Sequence, residues 1–387
     1  MVTWEFPPLV IGGLAAHVDG LSRALVRQGH EVVVLTLHHA DAEDDYDHEG
    51  VRVLRARVDL PWLPPENFVA QMASSNHRLV QLSRAIDGWQ PDIVHAHDWL
   101  VAWTGDTLHA LYGVPLVATV HATERGRNGG HVPPGQPAAI HAVEWWLTYQ
   151  ANRVIACSRY MVEEIVAGFD LPTDKIDEVP NGVDPVVWAP PSPAPVRGEG
   201  GPLVVTWGRL QYEKGFQYLI EAMASLRRRV PGVHLVVAGR GSYLAELEGL
   251  AQFLGVADIV EFAGFVPDPE LRALLHRASC AVIPSLYEPF GIVALEALAA
   301  EAPVVAAAAG GMAEVLEGTG AGLLVPPGDA GSLSFAVERL LTEPVLAASS
   351  QAAGNRLVEE RYSWDAIATS TIETYRRAGR SAPRPAG

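Results

Sequence analysis

Two glutamates, Glu288 and Glu296, stand eight positions apart in a segment whose other side chains are mostly apolar. Pro289 and Gly291 favour the end of a strand and the start of a helix, so Glu288 precedes the turn and Glu296 lies within the helix. A buried carboxylate without a partner is costly. We therefore expect this pair to face a polar ligand or to be neutralised.

Two cations follow the predicted strand at 203–207. Arg209 and Lys214 lie on the loop that leaves this strand, and Lys214 is one of only two lysines in the chain, the other being Lys175. In open α/β sheets, ligands bind at the carboxyl ends of the strands. A pair of cations there suits a diphosphate, although two solvated surface charges would give the same pattern.

A glycine pair, Gly12 and Gly13, ends the opening strand and begins a helix. Backbone N–H groups and the helix dipole favour an anion at such a turn. The pair is not the G-x-G-x-x-G dinucleotide fingerprint, and tight packing is an alternative explanation. His17 follows one turn later, where a surface histidine is the simplest interpretation.

These residues lie at the ends of elements that alternate along the whole chain. Short β-branched runs in the first half predict strands at 31–37, 51–55, 92–96, 114–120, 153–157 and 175–179. Apolar residues at helical spacing predict helices at 13–28, 68–87, 99–112 and 138–150. The second half repeats the pattern, with strands predicted at 203–207, 233–238, 259–262, 280–284, 303–306 and 322–325. Strict alternation indicates parallel sheets with helices on both faces, so the predicted fold class is α/β with two doubly wound domains.

A proline-rich segment at 189–195, followed by several glycines, separates the two halves. This composition disfavours both regular elements, so we predict the hinge between 180 and 202. Near the C-terminus, Ser363 is a predicted N-cap for a helix that ends at about Arg377. The opening strand at 1–4 is short for a doubly wound domain, which indicates either an upstream start or a clipped edge.

Composition excludes several classes of function. The 28 Lys and Arg against 45 Asp and Glu give a formal net charge of -17, which disfavours nucleic acid and anionic lipid as partners. No apolar run reaches the roughly 18 residues of a membrane span, and the N-terminus lacks the pattern of a signal peptide. Cys157 and Cys280 lie far apart and fit a reducing compartment. A cytoplasmic protein without stable membrane insertion is expected.

Two patterns could suggest a metal ion. An Asp-Tyr-Asp motif at 45–47 matches a D-x-D pattern that can bind a divalent metal ion, but its acidic surroundings at 41–49 favour a solvated turn. The histidines at positions 38, 39 and 48 fit no usual zinc spacing. We therefore expect neither a metal ion nor a cofactor.

The glycine pair at 12–13, the cationic loop at 208–215 and the glutamate pair at 288 and 296 together resemble glycosyltransferase family 4, the retaining nucleotide-sugar enzymes of the GT-B architecture. The resemblance covers nearly the whole chain and includes further segments at 95–99, 119–124, 154–158, 180–184 and 310–314. The first two of these segments look most like the glycogen-synthase-like members, particularly the actinobacterial α-1,4-glucosyltransferases.

The resemblance implies two Rossmann-like domains that face each other across a cleft. An acceptor-side domain would comprise 1–180 and a returning helix at 364–378. A donor-binding domain would comprise 181–363, and 379–387 would form a flexible tail.

The resemblance also implies a role for each motif. Arg209 and Lys214 would hold the donor diphosphate, Glu296 the ribose and Glu288 the sugar hydroxyl groups. His121 would lie beside the donor sugar, and the acceptor side would include Asp98 and Trp99. The implied donor-binding set is Gly12, Gly13, Arg209, Lys214, Glu288, Phe290, Gly291, Ile292, Val293 and Glu296. The implied catalytic set is His121, Arg209, Lys214 and Glu288.

The implied reaction transfers glucose from ADP-glucose or UDP-glucose to the non-reducing end of an α-1,4-glucan or maltooligosaccharide. Bacterial synthases that use ADP-glucose carry lysine two positions before the first glycine pair, where this chain has Val10. Ala309 stands where they have threonine before the second pair. Two alternatives stay open: a family 4 mannosyl- or glucosyltransferase with a lipid or small-molecule acceptor, and a catalytically silent nucleotide-sugar binder.

Overall fold

The computed structural model describes residues 1–60, 62–64, 66–86 and 88–381, which divide into two units. Unit 1 contains Met1–Gly182 and the C-terminal segment from Trp364, and unit 2 contains Val183–Ser363. The chain leaves unit 1 two residues after the predicted boundary at 180 and returns to it at Trp364.

The N-terminal segment joins the strands of unit 1 into one sheet. The strands described there are β1 (Val32–Leu37), β2 (Asp45–His48), β3 (Val51–Ala56), β4 (Val94–His97), β5 (Leu116–Val120), β6 (Arg153–Ala156) and β7 (Ile176–Glu178). β1 is parallel to β3, and β4 to β7 are parallel in sequence order. Val2 forms parallel bridges to Leu35 of β1 and to Ala96 of β4. The short opening segment therefore lies between these two strands and completes the sheet.

The sheet of unit 2 is parallel throughout its described strands. These are β8 (Leu203–Trp207), β9 (His234–Ala238), β10 (Val260–Gly264), β11 (Cys280–Ile283), β12 (Val304–Ala307) and β13 (Leu323–Val325). Their order is β10-β9-β8-β11-β12-β13. The direction of winding reverses between β8 and β11, and the carboxyl ends of such strands are where open α/β sheets bind ligands. Each unit is thus an α/β, Rossmann-like domain, as the alternation of elements predicts.

Helices pack on both sheets. The helices described are α1 (Gly13–Arg27), α2 (Phe68–Gln81), α3 (Ala102–Tyr112), α4 (Glu124–Arg127), α5 (Gln136–Gln150), α6 (Arg159–Phe169), α7 (Pro185–Trp188), α8 (Phe216–Arg229), α9 (Leu244–Phe253), α10 (Asp268–Arg277), α11 (Ile292–Ala299), α12 (Gly311–Leu316), α13 (Ala330–Thr342), α14 (Pro344–Arg361) and α15 (Trp364–Ser381). Four short 3-10 helices lie at Leu82–Ile86, Trp99–Val101, Thr173–Lys175 and Tyr212–Lys214. None of the helices in the described ranges is long and apolar enough to span a membrane.

The acidic segment at 41–49 differs from its prediction. Asp45–His48 is not a solvated turn but an edge strand, β2, which runs antiparallel to β3. The side chain of Asp45 binds Arg52 across this pair, with an N–O distance of 2.9 Å. The prediction was wrong because cross-strand pairing, which local charge does not reveal, stabilises the segment.

Two predicted helix ends also differ from the structure. The helix predicted at 68–87 is α-helical only to Gln81 and continues as a 3-10 helix to Ile86, while residue 87 lies outside the described residues. The predicted flexible tail at 379–387 begins with three helical residues, because α15 continues to Ser381. The remaining positions of that tail, 382–387, also lie outside the described residues.

The C-terminal helix packs on the first helix of unit 1. Trp364 at the start of α15 is buried in the same apolar cluster as Val18 and Leu21 of α1. Gly20 makes room for the indole, since a Cβ there would lie 2.1 Å from Cε2 of Trp364. The return of the chain to unit 1 therefore requires a residue without a side chain at position 20.

We expect Gly20→Ala to destabilise unit 1 by about 2 kcal/mol, because the added methyl group would overlap with the Trp364 ring. The matched control is Gly249→Ala in α9, where a Cβ meets nothing within 4 Å. Alanine in an open helix interior should stabilise that unit by up to about 1 kcal/mol. Urea unfolding monitored by fluorescence measures both changes. A stabilising Gly20→Ala would contradict the proposed contact.

Candidate active site

In unit 2, the loop after β8 presses against the end of β11. Gly215 has a φ of +70°, and a Cβ there would lie 2.0 Å from the carbonyl oxygen of Pro284. The N–H groups of Leu286 and Tyr287 donate to the carbonyl oxygen of Glu213, at 2.8 and 3.3 Å. This close approach brings the cationic loop beside the loop that carries the first glutamate of the predicted pair.

Lys214 and Glu288 form an ion pair at this contact. Nζ of Lys214 lies 2.7 Å from Oε2 of Glu288, and Oγ of Ser285 donates to the same oxygen at 3.1 Å. The lysine side chain is 20% exposed and the glutamate side chain 10%. Removal of either partner would leave a poorly solvated charge without its counterion. Two of the predicted catalytic residues thus lie together at the switch point of the sheet.

Arg209 lies on the same loop with its guanidinium facing solvent. Its side chain is 45% exposed, and a carboxylate oxygen of Glu213 lies 3.7 Å away. An exposed pair at this distance contributes little to stability, so a ligand can displace it at small cost.

Glu296 lies in α11 close to the end of β8. Its Oε2 accepts a hydrogen bond from Nε1 of Trp207 at 3.0 Å. Burial raises the pKa of the Glu296 carboxyl to about 7, so this group gains and loses a proton near neutral pH. Sequence reasoning gave Trp207 no role. The available signal was its position as the last residue of a buried strand, directly before a glycine.

The N-terminus of α11 lies in the same region. Gly291 precedes it with a φ of +99°, and a Cβ there would lie 2.3 Å from Cε of Met312. No side chain from the described residues caps this helix. The N–H groups of Ile292 and Val293 are therefore free of a side-chain cap and suited to donate hydrogen bonds to an anion.

Two predicted aromatic site residues have buried rings. Phe290 is 4% exposed, and its ring packs edge-on against Tyr362 with centroids 5.9 Å apart. Trp99 is 5% exposed and packs edge-on against Phe68, with centroids 5.6 Å apart. Neither ring offers an exposed face on which a base or a sugar could stack.

In unit 1, an acidic side chain of the protein itself binds the backbone N–H groups of the predicted glycine turn. Glu5 is 5% exposed, and its Oε2 accepts hydrogen bonds from the N–H groups of Ile11 and of Gly12, the latter at 3.1 Å. Gly13 begins α1 directly afterwards. The expected anion at this helix start is therefore a carboxylate, with which a ligand phosphate would compete. Sequence reasoning missed Glu5, whose signal was a lone acid among apolar and proline residues.

Asp98 positions the segment that carries His121. Its Oδ1 accepts a hydrogen bond from the backbone N–H of His121 at 2.7 Å, and its own backbone has a φ of +63°. Burial raises the pKa of Asp98 to about 6. Burial, together with the nearby Arg127, lowers the pKa of His121 to about 3, so this imidazole is uncharged at neutral pH.

His17 is a buried residue and not the expected surface histidine. It is 3% exposed, its Nδ1 lies 2.7 Å from Oδ1 of Asn181, and its ring centroid lies 4.6 Å from that of His121. Burial lowers the pKa of His17 well below its usual value. The expectation was wrong because α1 turns this face toward the interior of unit 1, together with Leu14 and Val18.

Glu144 on α5 is a further functional candidate that no sequence pattern identified. Its side-chain oxygens accept the backbone N–H of Glu124 at 2.9 and 3.2 Å, and the residue is 3% exposed. Burial raises the pKa of Glu144 to about 8. The carboxyl is thus mainly protonated at neutral pH.

The fold and these sites define the class of the protein. The structure is similar to that of sucrose-phosphate synthase from Thermosynechococcus elongatus, with a TM-score of 0.82, 25% identity and coverage of 97% of each chain. Two Rossmann-like units of this kind, with a cationic loop and a glycine-led helix at the switch point of the second, are those of a GT-B glycosyltransferase.

Sequence comparison identifies the family. Residues 11–187 match Glycosyltransferase Family 4, and residues 192–358 match Glycosyl transferases group 1. A glycogen synthase from Mycobacterium tuberculosis is 38% identical over 403 residues, which cover all of this chain and 96% of the relative. An alpha-maltose-1-phosphate synthase from Mycolicibacterium smegmatis is 32% identical over 400 residues, which cover 97% of this chain and 98% of the relative. The chain belongs to glycosyltransferase family 4, among its glycogen-synthase-like members, and is a hexosyltransferase.

The protonated Glu144 carboxyl predicts how stability depends on pH. Its pKa is about 8 in the folded protein against 4.5 for an ordinary glutamate, so the folded state binds the proton more tightly than the unfolded chain. Stability should therefore fall as pH rises between these two values, by up to about 5 kcal/mol. Glu144→Gln keeps an oxygen acceptor for the Glu124 N–H group and should remove this loss.

Thermal or urea unfolding between pH 5 and pH 9 measures the effect. Glu163→Gln on α6, an exposed position of the same unit, is the matched control and should follow the wild type. A Glu144→Gln variant that loses stability with pH as steeply as the wild type would contradict the prediction.

Proposed function

We propose that the chain is a retaining α-glucosyltransferase that moves glucose from ADP-glucose or UDP-glucose to the non-reducing end of an α-1,4-glucan, such as glycogen or a maltooligosaccharide. The observation that carries this proposal is the Lys214–Glu288 pair, 2.7 Å apart at the switch point of unit 2, with Arg209 exposed on the same loop. The similarity to a relative named glycogen synthase supports a glucan as the acceptor. A cytoplasmic location remains a prediction from the sequence.

Unit 2 is proposed to bind the donor. The ammonium group of Lys214 has three N–H donors, of which Glu288 takes one, so others can reach a diphosphate. Arg209 and the N–H groups at the start of α11 would complete the anion site. Glu296 would accept hydrogen bonds from the ribose, and Glu288 from the sugar hydroxyl groups.

These groups suit glycosyl transfer with retention. As the bond to the diphosphate breaks, positive charge develops on the sugar and negative charge on the departing phosphate. The cations of Arg209 and Lys214 would stabilise that phosphate and so take the place of a metal ion. The leaving phosphate would then accept the proton of the acceptor hydroxyl on the same face of the sugar.

Unit 1 is proposed to contribute His121 and Asp98. An uncharged imidazole can donate or accept a hydrogen bond at a sugar hydroxyl without adding positive charge beside the developing cation. Asp98 would act as a positioning residue, because its carboxyl holds the backbone of His121 at 2.7 Å.

A small-molecule acceptor is the second candidate. The Mycolicibacterium smegmatis relative is named alpha-maltose-1-phosphate synthase, and it covers this chain almost completely. With a phosphorylated sugar as the acceptor, the same transfer from the donor would give a different product.

A transfer assay decides between these functions. ADP-glucose, UDP-glucose and GDP-mannose are each offered with maltooligosaccharides, glycogen or glucose 1-phosphate, in excess EDTA. We expect glucose transfer to the glucan acceptors, with an α-linked product by NMR. Transfer only to glucose 1-phosphate would favour the second candidate. If none of the three donors is turned over, the chain is a silent binder. Loss of activity in EDTA that magnesium or manganese restores would contradict metal independence.

The diphosphate cations give a second prediction. Arg209→Ala and Lys214→Ala should each lower kcat by about 100-fold, the scale for losing one preorganised charge at a transition state. Lys175→Ala is the matched control, because this lysine belongs to unit 1, is partly exposed and donates to the carbonyl oxygen of Tyr149 at 2.7 Å. Near-normal kcat in both site variants would contradict the assignment.

A further inference from the structure

Three histidine rings converge in unit 1. His17 comes from α1, His97 is the last residue of β4, and His121 follows β5. Each contributes one ring nitrogen, and the three nitrogens lie within 4.8 Å of one another. His17 and His97 are buried, whereas His121 is only half-buried, so the cluster is accessible from the side of His121.

The hydrogen bonds around the cluster are incomplete. Within the ranges that the structure describes, Nε2 of His17 and Nε2 of His97 are buried and have no hydrogen-bond partner. Buried polar atoms without partners are uncommon in folded proteins, and an ion bound among the three rings would give Nε2 of His17 a partner.

Asn181 determines which nitrogen of His17 is unprotonated. Its Oδ1 lies 2.7 Å from Nδ1 of His17 and can only accept a hydrogen bond. Nδ1 must therefore carry the proton, which leaves the lone pair on Nε2. Metal-binding histidines are held in the same way, with one nitrogen donating to an oxygen while the other binds the ion.

The spacing of two other nitrogens suits a shared ion. Nδ1 of His97 and Nε2 of His121 lie 3.3 Å apart. Two nitrogens bound to one tetrahedral zinc ion at about 2.0–2.1 Å are separated by about 3.3–3.4 Å. The ring centroid of His17 lies 4.6 Å from that of His121 and 5.4 Å from that of His97, so a small rotation would bring in a third ligand.

We propose that His17, His97 and His121 form a binding site for a divalent transition-metal ion, represented here by zinc. A donor set of three imidazoles favours zinc, copper or nickel over magnesium and calcium, which prefer oxygen ligands. Three protein ligands leave the fourth position of a tetrahedral ion for water or a substrate oxygen.

The consequence for catalysis is inhibition, and this part rests on the proposed function. The proposed transferase uses His121 at the donor sugar and needs no metal ion. An ion held by this ring would occupy its nitrogen and block its hydrogen bond to the sugar. Zinc should therefore slow transfer, and EDTA should restore it.

The binding test uses the full chain without a polyhistidine tag, stripped with EDTA and desalted. Zinc is titrated against a chromophoric chelator. We expect one tightly bound equivalent, with His97→Gln weakening the affinity at least tenfold, the scale seen when a metal ligand or its support is removed. His131→Gln, at an exposed position of the same unit, is the matched control and should leave the affinity unchanged.

X-ray absorption at the zinc edge keeps the test independent of how well the variants fold. The wild-type chain with one equivalent of zinc should give three nitrogen ligands at about 2.0–2.1 Å. The absence of stoichiometric binding, an oxygen-dominated shell, or an affinity unchanged by folded His97→Gln would overturn the metal site. Stoichiometric binding at three nitrogens without inhibition would support the site and contradict the role proposed for His121.

Discussion

Gly215 touches the end of β11, and the candidate donor site depends on this contact. Neighbouring strands in a sheet lie about 4.8 Å apart, so the loops that leave β8 and β11 start side by side. A Cβ at position 215 would lie 2.0 Å from the carbonyl oxygen of Pro284 and would force the two loops apart. Only a residue without a side chain allows Lys214 to reach Glu288, which is 74 positions away in the sequence.

Buried ionisable side chains near the candidate sites are accommodated in two ways, as paired ions or as uncharged groups. In unit 2, the carboxylate of Glu288 is paired with an ammonium group, which keeps both charges in place for a charged ligand. In unit 1, burial keeps the Glu144 carboxyl and the His121 imidazole mainly uncharged at neutral pH, because it raises the pKa of the first and lowers that of the second. Paired charges suit a diphosphate, whereas uncharged hydrogen-bonding groups suit the hydroxyl groups of sugars.

The sequence predictions failed where a distant segment decides the outcome. Asp45–His48 has low intrinsic strand propensity, yet it forms β2 because β3 offers an unpaired edge and Arg52 as a partner. Glu5 was missed because its partners, the N–H groups at Ile11 and Gly12, become available only when the loop before α1 folds back. His17 was misassigned because the pattern of α1 does not reveal which histidines from other elements lie opposite it.

By itself, the sequence determined the alternation of strands and helices, the division into two domains and the loops that carry Arg209, Lys214 and Glu288. These features follow from local rules, namely the periods of strands and helices and the backbone preferences of glycine and proline. Only the tertiary structure decided that the rings of Trp99 and Phe290 are buried and that histidines from α1, β4 and the segment after β5 meet. The physical reason is that such contacts depend on which strands become neighbours in a sheet. The local periodicity of the sequence does not determine that order.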